Sequence, residues 1–502
     1  MEKQSLLQYF LDKSARFNNR TALVFNGKTW SYDMLKQDIF RFITGLRKWG
    51  VKAGDVVTLQ APNLPVSIML IYAINGVGAI SNMIHPLTPY DKVVENIAFT
   101  NSKFIISSSI ADYGIPAKYI AGSEFFGGNS SVMELYDTCS TDYITRDTIA
   151  MYLHSGGTSA EPKTISLSAY AINSLAAGLI NMYGDQLIGK KSLMVLPLFH
   201  GFGLAGGMHA MLCMGISLYV IPKFTAGTTM QLLHREQINI VLGVPVIFGA
   251  MMSELAGEDL SFIEECYVGG DAVDPNFIDQ FNRFLASHHS KAQLKEGYGL
   301  TECVTVCSVN TTDSYRKGSI GKPILNVDMK IVDDKFCEQK PNVKGQIIIS
   351  GDTLMEGYLG DINYPCIELD GKRWLLSGDI GFADEDGYFY FSGRIKRMAK
   401  INGVAVFPLE IERQIKECAG VNDCVVIAVD SPNRGQELVA FLEGQADTEN
   451  IKSCISNKLI VWAIPKYFVK IDKFPRTLVG KIDVKKLVVE ANKVLEKAEK
   501  TE

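Results

Sequence analysis

The sequence lacks the features that mark nucleic-acid-binding, exported and membrane-spanning proteins. Its 50 basic residues do not outnumber its 55 acidic ones, so there is no positive excess to neutralise phosphate backbones. The first residues, MEKQSLLQYFLDKSARF, carry charges where a signal peptide would be apolar. The longest apolar run, residues 203–222, is broken by glycines and contains His209, which favours a buried helix and strand over a membrane span. We therefore expect a cytoplasmic enzyme without a transmembrane segment that acts on small molecules.

Cysteine pairs with metal-binding spacing are also missing. The ten cysteines include no C-x-x-C pair. Cys303 and Cys307 have no matching second pair elsewhere, so a zinc site is not expected. Scattered cysteines without an export signal indicate reduced thiols. There is no internal repeat and no low-complexity tract. A chain of 502 residues with 47 % hydrophobic and 21 % charged residues predicts roughly two to four globular domains.

What the sequence does contain is a regular alternation of helical and strand patterns. Residues 31–50 carry apolar side chains at helical spacing, and short runs such as SLMVLPL, ISLYVIP and INIVLGVP are typical of buried strands. This alternation predicts a layered α/β domain with much parallel sheet. From about residue 318 to residue 393, short alternating segments joined by Asp-Gly turns predict a small β-subdomain. We place the domain boundary after residue 393, leaving a small α+β domain at 394–502.

One polar segment between two apolar runs has the composition of an anion-binding loop. It lies within YLHSGGTSAEPKTISLS, residues 152–168. It is one residue away from the ordinary P-loop pattern G-x-x-x-x-G-K-[ST], but Pro162 stands where that loop needs glycine, which excludes the P-loop. A polar turn remains an alternative. Its glycines allow close backbone approach, and its hydroxyls and ammonium suit phosphate oxygens; the candidate residues are Ser155, Gly156, Gly157, Thr158, Ser159 and Lys163.

Further short motifs acquire weight from their order along the chain. They are PLFHGFGL, YVGGDAV, EGYGLTE, SGDIG, GRIKRMAKINGVAVFPLEIE and FPRTLVGKIDVKKL. Together with the loop they resemble the adenylate-forming enzymes, which include acyl- and aryl-CoA synthetases, carrier-protein-loading adenylation domains and firefly-type luciferases. The resemblance spans nearly the whole chain. That family's phosphate loop reads [ST]-[SG]-G-T-[ST]-G-x-P-K-G, in which the Pro-Lys pair is normal. Here Ala160 and Thr164 replace two of its glycines.

The resemblance implies roles in nucleotide binding for several of these residues. Tyr298 would stack on adenine, Thr301 would contact the α-phosphate, and Glu302 would hold Mg²⁺, a cation that prefers oxygen ligands. Asp379 would accept hydrogen bonds from the ribose hydroxyls, with Arg394 beside it. The other nucleotide-binding positions implied, besides the phosphate loop, are Gly269, Gly270, Asp271, Glu296, Gly297 and Gly299.

The C-terminal motifs imply a catalytic lysine and a hinge. Lys481 would lie between the carboxylate and the α-phosphate, where one ammonium shields both anionic reactants. Lys396 would be the hinge about which the small domain rotates. Lys400 and Gly403 would line the tunnel for the thiol of the second substrate.

The acid-binding side is implied by PLFHGFGL. His200 would stand at the mouth of the acyl pocket and take part in catalysis. Amino-acid-activating relatives usually carry an aspartate near this position, and none is present here, which favours an acid without an α-amino group. Apolar side chains nearby favour a fatty or aryl acid. The pocket wall would be formed by Gly201, Phe202, Gly203 and Val244.

The resemblance implies an AMP-forming reaction in two halves. A carboxylate attacks the α-phosphorus of Mg·ATP, giving acyl-adenylate and pyrophosphate; the thiol of coenzyme A then displaces AMP. Two alternatives stay open: loading of an acyl carrier protein, and a non-catalytic nucleotide-binding regulator, which the stiffer residues Ala160 and Thr164 would suit. Luciferase-type oxidation is not expected, because Phe199 stands where those enzymes have a further histidine. The sequence does not identify the acid or the oligomeric state.

Overall fold

A computed structural model describes residues 4–108, 118–121, 148–155, 163–360, 364–401, 404–431, 435–476 and 482–499. Within these residues the chain forms two compact units. The first contains the described residues up to Met329 together with Ile349–Leu375. The second contains Lys330–Ile348 and the described residues from Leu376 onward. The sequence-based domain boundary after residue 393 stays a prediction.

The helices begin where capping residues and prolines place them. Ser31 accepts a hydrogen bond from the backbone of Met34 and so caps its helix, as Ser5 and Ser168 cap theirs. Proline occupies the first turn of several others. The α-helices are Leu6–Ser14, Tyr32–Lys48, Pro65–Val77, Tyr90–Thr100, Ala169–Tyr183, Met211–Cys213, Ala226–Glu236, Pro245–Glu254, Pro275–Ser287, Pro408–Lys416, Thr448–Ser456 and Val484–Glu499.

Several short helical segments are not α-helical. Phe202–Ala210 is a π-helix that runs directly into Met211–Cys213. The predicted helix and strand in the apolar run 203–222 are therefore present, with a π-helical first part and the strand at Ser217–Val220. The 3₁₀ segments are Ala15–Phe17, Thr301–Cys303, Ile395–Arg397 and Val461–Ala463.

A nine-stranded sheet, largely parallel, lies in the first unit. Its hydrophobic strands are covered by helices, and its central pairs run parallel, as the buried β-rich runs predict. The strand order is Lys322–Pro323, Ser308–Val309, Leu294–Tyr298, Glu265–Val268, Ile240–Gly243, Lys191–Met194, Ser217–Val220, Thr21–Phe25 and Lys28–Ser31.

A second, seven-stranded sheet of the first unit presents the candidate phosphate loop. Five of its strands are joined by parallel pairing, and an antiparallel pair then joins Ile149–His154 to Thr164–Ser168 on either side of residues 156–162. The order is Gly357–Tyr358, Thr164–Ser168, Ile149–His154, Ile80–Ile84, Val56–Gln60, Ser102–Ser107 and Lys118–Ala121.

The predicted β-subdomain is a five-stranded sheet. The Asp-Gly pair at 370–371 has positive φ at both residues, 53° and 69°, and makes a tight hairpin turn, as predicted. Gly387 turns the next hairpin with φ 79°. The strand order is Val327–Val332, Gly345–Gly351, Lys372–Ala383 and Cys366–Leu369, with Phe389–Arg394 paired to Lys372–Ala383.

The C-terminal part of the second unit has its own small core. Two sheets occur there, one with strands Ala399–Ile401 and Val404–Val406, the other with Val421–Ser431, Gly435–Gly444 and Tyr467–Lys470. Apolar residues of these strands and the neighbouring helices form two clusters around Val426 and Phe441. Within the described ranges, no helix has the length and apolarity needed to cross a membrane.

Candidate active site

Residues at the base of the candidate phosphate loop hold its two ends together. The amide of Ser155 donates to the carbonyl of Lys163 at 2.9 Å, and the amide of Lys163 donates to Oγ of Ser155 at 3.0 Å. Ser155 and Lys163 are therefore joined by a hydrogen-bonded pair in both directions. The predicted loop residues Gly156, Gly157, Thr158 and Ser159 lie outside the described residues.

Lys163 and Glu302 meet at one tyrosine. The ammonium of Lys163 lies 4.1 Å from the ring centroid of Tyr358, a cation–π distance. The hydroxyl of Tyr358 donates to Oε1 of Glu302 at 2.9 Å, and the backbone of Met355 donates to the carbonyl of Glu302 at 2.8 Å. The two charged residues expected around a magnesium-bound triphosphate are thus brought to one place.

The turn that carries Thr301 and Glu302 is tightly wound. The amide of Val304 donates to the carbonyl of Thr301 at 3.0 Å, and Val304 has φ 66° and ψ −63°, a strained conformation for a β-branched residue. A Cβ on Gly299 would lie 1.3 Å from the carbonyl oxygen of Thr305. Glycine at 299 is therefore needed because the chain folds back onto itself.

The predicted adenine side lies where parallel strands end. The strands Ile240–Gly243, Glu265–Val268 and Leu294–Tyr298 are neighbours in parallel register, so the residues that follow or end them share one edge of the sheet. A Cβ on Gly269 would lie 3.0 Å from the carbonyl oxygen of Gly297, and one on Gly270 would lie 3.7 Å from Val244. The structure thus brings Gly269, Gly270, Gly297 and Val244 together.

The other predicted residues of this edge differ in exposure. Glu296 is buried, Tyr298 is half-buried, and Asp271 is exposed. Oδ1 of Asp271 accepts a hydrogen bond from the amide of Ala272 at 3.0 Å, so this carboxylate stabilises its own turn. The roles of the three in nucleotide binding stay predictions.

A buried ion pair lies beside this edge and was not predicted. Lys295, of which 1 % is exposed, pairs with Glu265. Glu265 also accepts from the hydroxyl of Tyr267 at 2.5 Å, and Tyr267 is hydrogen-bonded to Tyr183. Burial and the Glu265 charge raise the pKa of Tyr267 far above its usual value, so it stays protonated. The network braces the strand that leads to Glu296 and Tyr298.

The segment predicted to shape the acyl pocket packs directly against the Thr301–Cys303 turn. A Cβ on Gly201 would lie 1.9 Å from the carbonyl oxygen of Val304, and one on Gly203 would lie 2.2 Å from that of Pro197. The ring of Phe202 is 3.8 Å from the Cβ position of Gly269. The predicted acid-binding and nucleotide-binding segments of the first unit are therefore neighbours.

Three aromatic rings stand together at His200. The centroid of Phe199 is 5.0 Å from that of His200 and 4.5 Å from that of His85. Burial lowers the pKa of His85 below its ordinary value, so this imidazole is neutral at neutral pH. His85 was not predicted, because nothing in the local sequence ties it to the residues around 200.

Asp379 and Arg394 form a pair within the second unit. They face each other across the antiparallel strands Lys372–Ala383 and Phe389–Arg394, with Nε of Arg394 3.3 Å from Oδ1 of Asp379. The side chain of Asp379 is 1 % exposed and that of Arg394 is 58 % exposed. The carboxylate can accept hydrogen bonds from two ribose hydroxyls, and the guanidinium beside it can donate to a hydroxyl oxygen.

The remaining predicted residues are exposed or lie outside the described residues. Lys396 is exposed on the 3₁₀ segment Ile395–Arg397. Lys400 is also exposed, and its amide donates to Oε1 of Gln436 at 2.9 Å. The catalytic lysine expected at Lys481 and the tunnel glycine Gly403 fall outside the described residues.

Besides His85 and the Lys295–Glu265 pair, sequence reasoning missed Tyr358 and His154. Tyr358 lies far along the chain from its partners Lys163 and Glu302. A single tyrosine outside any recognised motif does not indicate a functional role. His154 directly precedes Ser155 and is hydrogen-bonded to Thr164. Here a signal existed, because an antiparallel hairpin closed by Ser155 and Lys163 places residues 154 and 164 opposite each other.

Two protein families match the chain. AMP-binding enzyme matches residues 10–359, and the AMP-binding enzyme C-terminal domain matches residues 410–481. The first match covers more than half of the 502 residues. The chain belongs to the AMP-binding enzyme family, the adenylate-forming superfamily that the motifs indicate, and the predicted α/β architecture is confirmed.

Acyl-CoA ligases are among its relatives. A long-chain-fatty-acid–CoA ligase of Bacillus subtilis is 26 % identical over 98 % of this chain and 95 % of its own length. A 4-coumarate–CoA ligase of Solanum tuberosum is 26 % identical over 95 % and 92 %.

Solved structures share the fold over nearly their whole length. ATP-bound MatB from Rhodopseudomonas palustris aligns with a TM-score of 0.86 at 20 % identity, covering 97 % of this chain and 99 % of its own. The o-succinylbenzoate CoA synthetase of Bacillus subtilis with its acyl-adenylate aligns with a TM-score of 0.83 at 19 % identity, covering 97 % and 98 %. At these identities the likeness concerns the fold.

Proposed function

We propose that this chain activates a carboxylic acid with ATP and transfers the acyl group to coenzyme A. In the first half, a carboxylate oxygen attacks the α-phosphorus, and the bond to the pyrophosphate oxygen breaks. In the second half, the thiolate sulfur attacks the acyl carbon, and the bond to the AMP oxygen breaks. The class, an AMP-forming acid–CoA ligase, is confirmed by the family match and the relatives.

The observation that carries the proposal is the meeting of Lys163 and Glu302 at Tyr358. An uncharged ligand would gain little from an ammonium and a carboxylate that contact the same tyrosine, because removing water from each charge costs free energy that such a ligand cannot offset. A metal-bound polyphosphate would interact with both: the ammonium would neutralise phosphate oxygens, and the carboxylate would hold the cation. The closed base of the loop, Ser155 with Lys163, supplies the adjoining backbone.

Glu302 is the proposed magnesium ligand. The fit rests on donor chemistry: its carboxylate is half-buried, is oriented by Tyr358, and offers the hard oxygen that Mg²⁺ prefers. When bound there, Mg²⁺ would neutralise charge on the phosphate oxygens. Thr301, one residue before, is proposed to donate its hydroxyl to the α-phosphate.

Several residues are proposed to bind the adenosine. Tyr298 offers a half-buried ring for the base at the sheet edge formed by Gly269, Gly270 and Gly297. Asp379 offers a buried carboxylate for the ribose hydroxyls, with Arg394 beside it. Lys481 is proposed to shield the two anionic reactants during the first half, on the strength of the motif that contains it.

The acid is proposed to be a fatty or aryl acid without an α-amino group. Beside His200, Phe199 and the neutral imidazole of His85 offer ring surface, and the adjoining wall is built from glycines and Phe202. The segment PLFHGFGL contains no aspartate, so it offers no carboxylate to pair with the ammonium of an amino-acid substrate.

The test is pyrophosphate release with Mg·ATP and a panel of carboxylic acids of graded length and aromaticity. We expect release with at least one acid, hydroxylamine-trappable adenylate in the absence of coenzyme A, and thioester in its presence. A different result would assign the second half to carrier loading: an adenylate that hydroxylamine traps and that a phosphopantetheinyl carrier protein consumes, but coenzyme A does not. Nucleotide binding without release for any acid would identify a non-catalytic regulator.

A further inference from the structure

A network of buried and half-buried polar side chains lies next to the Ser155–Lys163 pair at the base of the candidate phosphate loop. It connects three parallel strands, the helix Tyr90–Thr100 and the hairpin that carries the loop, all within the first unit. Its members are hydrogen-bonded to one another within a mostly apolar core, an arrangement that is costly unless each group finds a partner. They are Thr58, Asn82, Asn96, Thr100, Ser102, His154 and Thr164.

The hydrogen bonds around Asn82 define how His154 is oriented. Nδ2 of Asn82 donates to Oδ1 of Asn96 at 2.7 Å and to Oγ1 of Thr58 at 2.8 Å. The amide oxygen of Asn82 therefore faces His154 Nε2, 2.9 Å away. Nδ2 of Asn96 lies farther from the same nitrogen, at 3.4 Å, so the shorter contact with the amide oxygen of Asn82 places the proton on Nε2. Nδ1 of His154 is then an acceptor for the hydroxyl of Thr164 at 3.1 Å.

Burial keeps this imidazole neutral. It lowers the pKa of His154 to about 4, because the charged form would lose its hydration without gaining an anionic partner. At neutral pH the ring therefore donates through Nε2 and accepts through Nδ1. The hydrogen bond from Thr164 is a fixed feature of the folded chain.

Thr164 connects this network to the loop. His154 and Thr164 are opposite each other in the hairpin register, one step inside the Ser155–Lys163 pair that closes the loop. The carbonyl of Thr164 also accepts from the amide of Leu359 at 2.9 Å, next to Tyr358. A glycine at position 164 would have no hydroxyl for His154.

We propose that His154 is a positioning residue for ATP, which holds Thr164 and thereby sets the place of Lys163 and Ser155 at the two ends of the phosphate loop. At position 164, where the adenylate-forming motif has glycine, this chain has a threonine whose side chain is hydrogen-bonded to His154. The proposal rests on the proposed function in one respect, that the loop binds the phosphates of ATP. The ligand class concerned is the triphosphate, and the acid and thiol are not involved.

Paired variants separate positioning from simple core stability. Thr164→Val removes the hydroxyl at the loop end of the network while keeping the shape. Thr58→Val removes a hydroxyl of the same network at the opposite end, where it contacts Asn82 and Ser102. Thr164→Val loses one buried side-chain hydrogen bond and Thr58→Val loses two, so both are expected to lower the melting temperature, Thr58→Val at least as much as Thr164→Val.

Only the loop-end variant is expected to weaken ATP use. For Thr164→Val we expect the KM for ATP to rise about tenfold, the size of one lost hydrogen bond, with the thioester half-reaction from preformed adenylate unchanged. Thr164→Ser keeps the hydroxyl and should retain the wild-type KM for ATP. Thr58→Val should also retain it, because Nδ2 of Asn82 keeps its hydrogen bond to Oδ1 of Asn96 and thus its orientation toward His154. Equal KM for ATP in Thr164→Val and Thr58→Val would overturn the proposal.

His154 itself is tested by two substitutions. In His154→Asn the amide oxygen replaces Nδ1 as acceptor for Thr164, so the KM for ATP should stay within about twofold of wild type. His154→Leu removes the acceptor, and we expect the KM for ATP to rise as in Thr164→Val. In the double variant His154→Leu/Thr164→Val the two effects should not add, because both remove the same hydrogen bond. Additive effects would contradict the pairing.

A direct binding measurement keeps this test separate from the proposed function. If the wild-type chain binds ATP in calorimetry but forms no adenylate with any acid, the proposed function fails, and the Kd for ATP replaces the KM in each comparison. If Thr164→Val does not fold, the Kd or KM for ATP of Thr164→Ser, and the comparison of His154→Asn with His154→Leu, still test the proposal. An unchanged Kd or KM in His154→Leu would overturn the proposal.

Discussion

Tyr358 shows how one side chain serves two charged neighbours without carrying a charge. Its ring faces the ammonium of Lys163 and its hydroxyl reaches Glu302. Since a hydrogen bond to a charged group is worth about 1.5–3 kcal/mol, this one bond is sufficient to select a single orientation of the carboxylate. The orientation matters because a metal ligand displaced by an ångström loses much of its effect.

Tyr358→Phe removes the hydroxyl and keeps the ring. We expect kcat/KM for ATP to fall about tenfold or more through loss of the Glu302 hydrogen bond, while the melting temperature changes little. Initial rates of pyrophosphate release at varied ATP measure this. Tyr388→Phe, which changes a tyrosine of the second unit, is the matched control and should leave the rate unaffected. Wild-type kinetics in Tyr358→Phe would show that Glu302 needs no orienting partner.

Glu302→Gln keeps the size of the side chain and removes its charge. We expect the magnesium concentration needed for half-maximal adenylate formation to rise at least tenfold, because a carboxylate is a far better ligand than an amide for a hard cation. Titration of Mg²⁺ at fixed total ATP, with Glu356→Gln as a neighbouring control, checks this. An unaltered magnesium requirement would remove Glu302 from the metal site.

At the residue scale, the sequence predicts local structure where the interacting residues stand close together within one motif. The EGYGLTE segment predicts a turn, which is present at Thr301–Cys303, and a magnesium ligand at Glu302, which stays a prediction. The partner Tyr358 could not be predicted, since its position depends on how a distant strand pairs with Thr164–Ser168. Contacts of that kind are set by tertiary packing, which a local pattern does not encode.

The segment from Pro197 to Ala210 illustrates what a whole element contributes. Its glycines permit backbone approaches that any side chain would block, and its π-helical winding directs it differently from a continuous α-helix. The Thr301–Cys303 turn is held against it through Val304. The two elements carry the residues proposed for the acid and for the α-phosphate, so their contact would bring the two reactants together if those proposed roles hold.

Gly201→Ala tests that contact. Its φ of −52° suits alanine, so the obstacle is steric: the new Cβ would lie 1.9 Å from the carbonyl oxygen of Val304 and 3.3 Å from Cβ of Thr305. We expect separation of the two elements, a fall in adenylate formation of about a hundredfold, and a lower melting temperature. Gly249→Ala lies in the helix Pro245–Glu254 with nothing within 4 Å and should keep full activity with equal or higher stability. Full activity in Gly201→Ala would show that this approach is not needed.

At the element scale, periodicity and turn chemistry predicted the order of strands and helices correctly. The Asp-Gly turn at 370–371 and the buried strands around Leu193, Leu218 and Val241 are where the patterns place them. The π-helix could not be predicted, because apolar residues and glycines in that run suit either winding. The choice depends on the close approach of Gly201 and Gly203 to distant carbonyls.

The whole molecule consists of two compact units that each hold part of the proposed chemistry. The first contains Lys163, Glu302 and Tyr358, and the second contains Asp379, Arg394 and Lys396. Two successive reactions with different attacking groups need different surroundings for one bound intermediate. The resemblance to adenylate-forming enzymes implies that rotation of the small domain about Lys396 provides these different surroundings. That rotation stays a prediction.

Lys396→Pro tests the rotation. Proline locks φ near −65°, so we expect adenylate formation to stay within about twofold to threefold of wild type and thioester formation to fall at least a hundredfold, the size expected when a conformational step is blocked. Lys396→Ala, which leaves the backbone free, is the control for loss of the charge. Equal thioester rates in the proline and alanine variants would argue against a hinge at this position.

The central claim is that an acyl-adenylate forms with the help of Lys481 and is then consumed in a separate step. The most direct measurement compares the two half-reactions in Lys481→Ala, with Lys485→Ala as a control lysine on the following helix. The account predicts that adenylate formation, followed by acid-dependent ATP–pyrophosphate exchange, falls at least a thousandfold, while conversion of preformed adenylate and coenzyme A to thioester stays near wild type. An equal fall in both half-reactions, or an unchanged exchange rate, would contradict it.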